Sequence, residues 1–269
     1  MTKKKIFKII IVIFACLNIY MVLYSCYHIY KYFYDIYTRH EDIVYLKSLI
    51  SEDIDMKNDT DKKEINREGN QEKFKKLYDI NNDFVGWLQI PGTVIDYPVM
   101  QTPEDEEFYL RKDFYKRYSN AGTLFCNAKA DLKMPSDNII IYGHHMQSHT
   151  MFESLCEYDS EEYYKNHRYI IFNTIYGDGV YEVIAAYKTD VQPGTYEYYN
   201  FVNGTEGQFN EYISYAKSNM SYDIESSAKY GDKLLTLSTC AYHTYNGRFV
   251  VIAKKISENS YKYQQKLNK

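Results

Sequence analysis

Cys240 closes the run LLTLSTC over 234–240. Strand alternation places Leu235 and Leu237 on one face and Thr236, Ser238 and Cys240 on the other. A thiol at a strand end among polar neighbours suits nucleophilic chemistry; a buried structural thiol is the commoner fate of a free cysteine. Arg248 follows eight positions later, across a turn holding Asn246-Gly247, a hairpin signal. A hairpin would bring Cys240 and Arg248 together at its mouth. There the guanidinium would favour a thiolate and offer donors to a developing oxyanion; a solvated edge arginine is the plainer alternative. The third group stands in IIIYGHHM over 139–146. His144 follows an apolar strand and Gly143, a residue that lets the backbone turn toward a cleft. Imidazole suits proton transfer to a leaving amine near neutrality. A solvated loop histidine and a metal site built on His144, His145 and His149 are the rivals. No carboxylate or second cysteine falls at ligand spacing to complete such a site.

The elements that must hold these residues read as short strands: Phe84–Ile90, Val94–Val99, Gly122–Cys126, Asn138–Tyr142, Tyr169–Asn173, Val180–Lys188, Lys233–Thr239 and Phe249–Lys255. About eight such strands between turn residues argue for a mainly β sandwich or barrel. Helices interrupt them. A short one is expected from Glu72 to about Asp79. Thr150–Glu153 and Asp159–Glu162 both have the capping-box form. In the longest gap, Phe209, Tyr212, Ile213 and Ala216 recur at helical spacing after a Thr205 cap. Cys156 falls beside Phe152 and Leu155 in an amphipathic Met151–Tyr158 helix, a packing role, and Cys126 reads likewise.

Upstream, Lys3, Lys4 and Lys5 precede an apolar run over 6–27. Ile9–Tyr27 alone approaches the roughly 20 residues that cross a bilayer. The lysines assign the N-terminus to the cytoplasm and the rest to the exterior, as a single-pass membrane protein. No small-residue cleavage site follows, so an anchor is expected over a cleaved signal. The organisation is therefore 1–5 cytoplasmic, 6–27 transmembrane anchor, 28–71 juxtamembrane helix and polar stalk, 72–258 catalytic domain and 259–269 polar tail. The net charge of −4 over 269 residues, without a basic stripe, gives no reason to expect nucleic-acid binding. Five widely spaced cysteines make a poor disulfide or zinc framework. The 32 tyrosines fit a coding bias and carry no functional reading.

These motifs together resemble the sortase family of Gram-positive bacteria, class B in particular. TLSTC over 236–240 resembles the nucleophile motif, YGH over 142–144 the histidine motif, and Gly247-Arg248 the arginine motif. NDFVGWLQIPGTVIDYPVMQ over 82–101, Tyr109-Leu110 and Gly122–Phe125 carry the class B character. The resemblance implies a closed eight-stranded β-barrel with N-terminal helices and a helix between the sixth and seventh strands. It implies a transpeptidase with Cys240 as nucleophile, His144 as general acid/base and Arg248 holding the substrate carbonyl and oxyanion. His144 is preferred to His145 because it directly follows Gly143. Ser238, Thr239 and the Ala241 N–H are the expected substrate-binding groups, Ala241 as a helper at the oxyanion, with Ser238 and Thr239 as strand-completing residues the open alternative. No cofactor and no metal are implied. The partners would be secreted proteins bearing a C-terminal sorting signal and an amine acceptor on a peptidoglycan precursor or a pilin. A membrane-tethered cysteine protease using water, or a non-catalytic surface protein, are the alternative functions. A papain-like arrangement is disfavoured, because there the cysteine precedes the histidine.

Overall fold

The computed structural model describes residues 3–55 and 72–267. Most of the polar stretch expected as a stalk, 56–71, lies outside the described residues. The chain divides into two units, Met1–Leu49 and Ile50–Lys269. The first unit is helical, within α1 (Lys3–Asp55). One unbroken helix thus carries both the apolar run and the aromatic segment that follows it. Its side chains from Ile6 to Phe33 are exposed, and the helix is long and apolar enough to cross a membrane.

The second unit begins with α2 (Lys75–Ile80) and is built on eight strands. They are β1 (Phe84–Gln89), β2 (Asp96–Met100), β3 (Leu124–Cys126), β4 (Asn138–Gly143), β5 (Tyr169–Thr174), β6 (Val180–Asp190), β7 (Leu234–Cys240) and β8 (Gly247–Ile256). They close into a barrel in the order β1-β2-β3-β4-β7-β8-β6-β5. Closure leaves no unpaired strand edge. Two neighbours, β2/β3 and β4/β7, are parallel, and the other pairs are antiparallel. A parallel pair needs a long crossover. The β4-to-β7 crossover contains β5, β6, α3 (Glu161–Asn166) and α4 (Glu206–Ser218).

The inserted helix α4 lies between the sixth and seventh strands, as the resemblance implies. Thr205 and Gln208 form the capping box. Phe209, Tyr212, Ile213 and Ala216 are buried together with Leu234 of β7 and Val250 and Ile252 of β8. The outer face of these strands is thereby covered, and the alternate residues Leu235, Leu237 and Val251 are buried on the other face.

Two expected helix starts differ. Thr150 pairs with Met146 in a two-residue hairpin, and Met151 takes a left-handed φ of 59°. The chain therefore turns here, and a 3₁₀ helix over Glu153–Asp159 follows without a side-chain cap. At the second site Ser160, not Asp159, caps α3. The Asp159 carboxylate is engaged elsewhere, by Lys188 at 2.6 Å and Ser221 at 2.8 Å. The polar tail is helical over α5 (Glu258–Leu267).

Because α4 seals the outside of the barrel, Phe209→Ala is expected to lower the unfolding free energy by about 3–5 kcal/mol. Thr205→Ala, which removes one cap, is expected to cost only about 1 kcal/mol. Urea unfolding of the barrel domain followed by circular dichroism checks both. Equal losses would show that α4 is not a sealing element.

Candidate functional site

Strand register assembles the site. In β8, Arg248 stands directly opposite Cys240 of β7. In the parallel β4/β7 pair, Gly143 stands opposite Thr239. His144 and Cys240 are each the next residue, so both chains leave the sheet at the same end of the barrel. His144, Cys240 and Arg248 line one cleft of about 450 Å³ with Tyr142, Tyr198 and Ser238.

Gly143 does not turn the chain as the sequence suggests. β4 runs through it, and its φ is not positive. Glycine is needed because a Cβ there would lie 2.5 Å from Leu124 Cδ2 and 2.7 Å from Phe152 Cδ2, both fully buried residues. The absent side chain lets β4 pack closely just before His144.

His144 Nε2 donates to the Leu110 carbonyl at 2.8 Å. That bond fixes the tautomer, leaving Nδ1 as the nitrogen that can take a proton. Burial lowers the His144 pKa below its ordinary value, the Leu110 bond opposes this, and nearby Arg111 adds to the lowering. The neutral form is therefore favoured near pH 7. The Arg248 guanidinium donates to the Asn246 and Gly247 carbonyls at 3.2 and 3.0 Å, which holds it over its own turn.

The hydroxyls of Ser238 and Thr239 already have protein partners. Ser238 Oγ meets the Tyr198 hydroxyl at 2.7 Å, and Thr239 Oγ1 donates to the Gly143 carbonyl at 2.8 Å. Thr239 thus ties the two strand ends together. The Ala241 N–H, expected in an oxyanion hole, donates to the Gly247 carbonyl at 2.9 Å and closes the hairpin. In this structure it is not offered to the cleft.

The other histidines do not join the site. His145 Nδ1 lies 3.5 Å from Cys156 Sγ, and His149 pairs with Glu153 at 3.2 Å with its side chain 82% exposed. Among the described residues no group of three or more potential ligands gathers. Of the remaining thiols of the barrel unit, Cys126 is fully buried and Cys156 half-buried, and neither lines the cleft. Burial pushes Cys126 far up, and burial followed by Glu153 and Glu157 pushes Cys156 up to about 11.

Sequence reasoning missed the far wall of the cleft, formed by Glu106, Glu107, Leu110, Tyr198 and Tyr199. Tyr198 is buried, its pKa pushed up to about 12 by that burial despite the lowering pull of Ser238 and Arg248. Only Leu110 belongs to a stretch marked in the sequence, and there as part of the family resemblance; the others arrive from two separate connections with no local signal.

Residues 88–256 match the family model of the sortase domain. The chain is 36% identical over 186 residues to sortase B of Staphylococcus aureus, covering 68% of this chain and 75% of that one. It is similar to a Staphylococcus aureus sortase B–substrate complex, with a TM-score of 0.64 and 31% identity over 70% of this chain and 86% of that one. A crystal structure of sortase B complexed with triglycine gives a TM-score of 0.71 and 27% identity over 82% and 98% of the two chains.

The lowered His144 pKa has a sign. The unfolded chain binds this proton more readily, so the contribution to stability is complete above the ordinary value of 6.5 and is lost as pH falls through the folded value. His144→Asn is therefore expected to flatten the stability loss between pH 7.5 and pH 5.5. Paired urea titrations at the two pH values check this, and an unchanged loss would mean that His144 is not held neutral.

Proposed function

The chain belongs to the sortase family, as a class B sortase and hence a cysteine transpeptidase, and from that premise we propose that Cys240, His144 and Arg248 carry the reaction. The observation that carries the assignment is the double register, Arg248 opposite Cys240 and Gly143 opposite Thr239. Cys240 Sγ gives its proton to His144 Nδ1 and attacks the carbonyl carbon of a threonine in a sorting signal. The tetrahedral oxyanion is held by Arg248. As the C–N bond breaks, His144 returns the proton to the leaving amine, and a thioacyl-enzyme remains. An incoming amine attacks the thioester and gives its proton to His144, the Cys240 thiolate departs, and His144 returns that proton to it.

The donors belong to secreted proteins with a C-terminal sorting signal. The acceptor is an amine on a peptidoglycan precursor or a pilin. The relative bound to triglycine supports an N-terminal amine on a short glycine peptide as a probe acceptor. Ser238 and Thr239 border the cleft, and their hydroxyls support its walls. Ala241 shapes the hairpin that presents Arg248. No cofactor enters the scheme. Residues 6–27 anchor the chain, 1–5 stay cytoplasmic, 28–71 form the spacer, and 72–258 work outside the membrane ahead of the tail 259–269. The long apolar helix near the N-terminus supports the anchor.

Cys240→Ala is expected to abolish both the thioacyl adduct and transfer of a sorting peptide to triglycine, read by mass spectrometry, with thermal unfolding unchanged. Substantial residual transfer would remove Cys240 from the reaction. Release of free acid in place of the triglycine adduct would make the chain a hydrolase.

Arg248→Lys separates two roles. Ammonium keeps the charge but lacks the planar fork of donors. Loss of a directed oxyanion donor costs about a hundredfold or more in rate. Transfer is expected to fall by at least about that factor, while alkylation of Cys240 by a small neutral reagent falls much less. Parallel loss of both would place Arg248 in thiol activation instead.

A further inference from the structure

A single polar side chain, Asn18, interrupts the middle of the apolar stretch of α1. It stands nine residues from either end of Ile9–Tyr27. At 1.5 Å per residue that is about 13 Å from each end, near the midplane of a hydrocarbon layer about 30 Å thick. A carboxamide carries two N–H donors and an oxygen with two lone pairs. In α1 the amide nitrogen donates once, to the Phe14 carbonyl at 2.7 Å. Its oxygen has no partner among the described residues. The helix cannot supply one, because the backbone N–H groups around Asn18 are spent on the helix itself. Ser25 differs, since its one donor is satisfied by the Met21 carbonyl at 2.8 Å. Water would complete Asn18 on a soluble surface, but the interior of a bilayer has none.

The residues in line with Asn18 fit a close helix neighbour. Ile11, Ala15, Asn18, Val22, Ser25 and Ile29 follow one another at steps of four, three, four, three and four. This 3.5-residue repeat forms one seam, in the geometry of a left-handed helix pair. Its members are small or β-branched, types that let helices approach in lipid. Tyr20 and Tyr24 stack on the opposite face, ring centroids 6.2 Å apart. These two rings thus lie away from the Asn18 seam.

We propose that α1 self-associates in the membrane as a parallel pair, with the Asn18 carboxamides of two copies hydrogen-bonding across this seam. The inference rests on reading residues 6–27 as the anchor. A second copy is the fitting partner because Lys3, Lys4, Lys5 and Lys8 orient every copy alike. Each copy then presents the same donor and acceptor at the same depth, so one carboxamide's spare N–H meets the other's oxygen reciprocally. Two barrels would consequently be tethered side by side.

The test uses the full chain, tagged at its C-terminus with donor or acceptor fluorophore, in phosphatidylcholine–phosphatidylglycerol vesicles. Energy transfer is followed as the chain is diluted with lipid. Wild type is expected to associate beyond random crowding, Asn18→Leu about tenfold more weakly, and Asn18→Gln nearly as wild type. Peptide transfer by Asn18→Leu is expected to stay at the wild-type rate. Equal association of Asn18→Leu and wild type would overturn the proposal, as would wild-type energy transfer no greater than crowding. Alkaline washing distinguishes the premise. A chain stripped from the vesicles overturns the anchor reading and the pairing with it, whereas a retained but monomeric chain overturns the pairing alone.

Discussion

The position of β7 between β4 and β8 is the constraint on which the site depends. Its parallel pairing with β4 sends both strands toward the same end of the barrel, so the residues that follow Gly143 and Thr239 emerge side by side. Its antiparallel pairing with β8 brings Arg248 back opposite Cys240. Neither pairing alone gathers three groups. Parallel pairing requires the chain to leave and return, and that excursion is the long crossover holding β5, β6 and α4. The residues contributing most sequence distance to the fold are thus those that bring the histidine to the thiol.

The same excursion decides the environment of the strand. Thr236 and Ser238 share the outward face with Cys240, yet both are buried. The Tyr212 hydroxyl meets Thr236 Oγ1 at 2.7 Å, and Thr236 donates to Asn138 Oδ1 at 2.8 Å. Asn138 in turn donates to the Phe201 carbonyl at 2.9 Å. Tyr198 serves Ser238 in the same way. Buried polar groups are tolerable when each finds a partner, and such networks fix one arrangement of the segments that carry them. Here they pin the crossover onto β7 up to Ser238 and stop there. Ser238, held by Tyr198, already borders the cleft, and Cys240, two residues on, is the first side chain of that face that is not fully buried. A thiol is thereby left lining the cleft at the end of an otherwise sealed strand, whereas Cys126 is fully buried and the half-buried Cys156 is not part of the cleft lining.

The strands, the α4 helix with its Thr205 cap and the three central residues were legible because each leaves a local pattern. Alternation gave β7, the Asn-Gly pair gave the β7–β8 hairpin, and i, i+3, i+4 spacing gave the buried face of α4. What was not legible was whatever distant contacts decide. Thr150 has capping form but is taken by a hairpin with Met146. Ala241 looks available for an oxyanion until the Gly247 carbonyl claims its N–H. Ser238 and Thr239 look like free hydroxyls only until Tyr198 and the Gly143 carbonyl are placed beside them. Gly143 was recognised as necessary for the wrong reason, since its demand comes from Leu124 and Phe152 across the fold. Propensity and spacing carry no record of such partners.

The carbonyl that His144 bonds ties it to stretches far away in the sequence that carry part of the family resemblance. His144 donates to the Leu110 carbonyl, which belongs to a 3₁₀ helix over Phe108–Arg111. That helix is fastened through Tyr109, whose hydroxyl donates to Asp83 at 2.7 Å and accepts from Asn81 at 2.8 Å, just before β1. The Tyr109 carbonyl in turn accepts from the Thr123 N–H at 3.0 Å. Beside it stands Gly122, with a left-handed φ of 61°, where a Cβ would come within 2.5 Å of the Leu110 oxygen. A side chain at 122 would collide with the acceptor that His144 uses. The segments around Asp83, Tyr109-Leu110 and Gly122 therefore act as one device: they hold a single carbonyl clear and in place. That carbonyl sets the tautomer of His144, and the tautomer leaves Nδ1 as the nitrogen that can take a proton. Motifs that look like fold markers in the sequence are, physically, the outer support of His144.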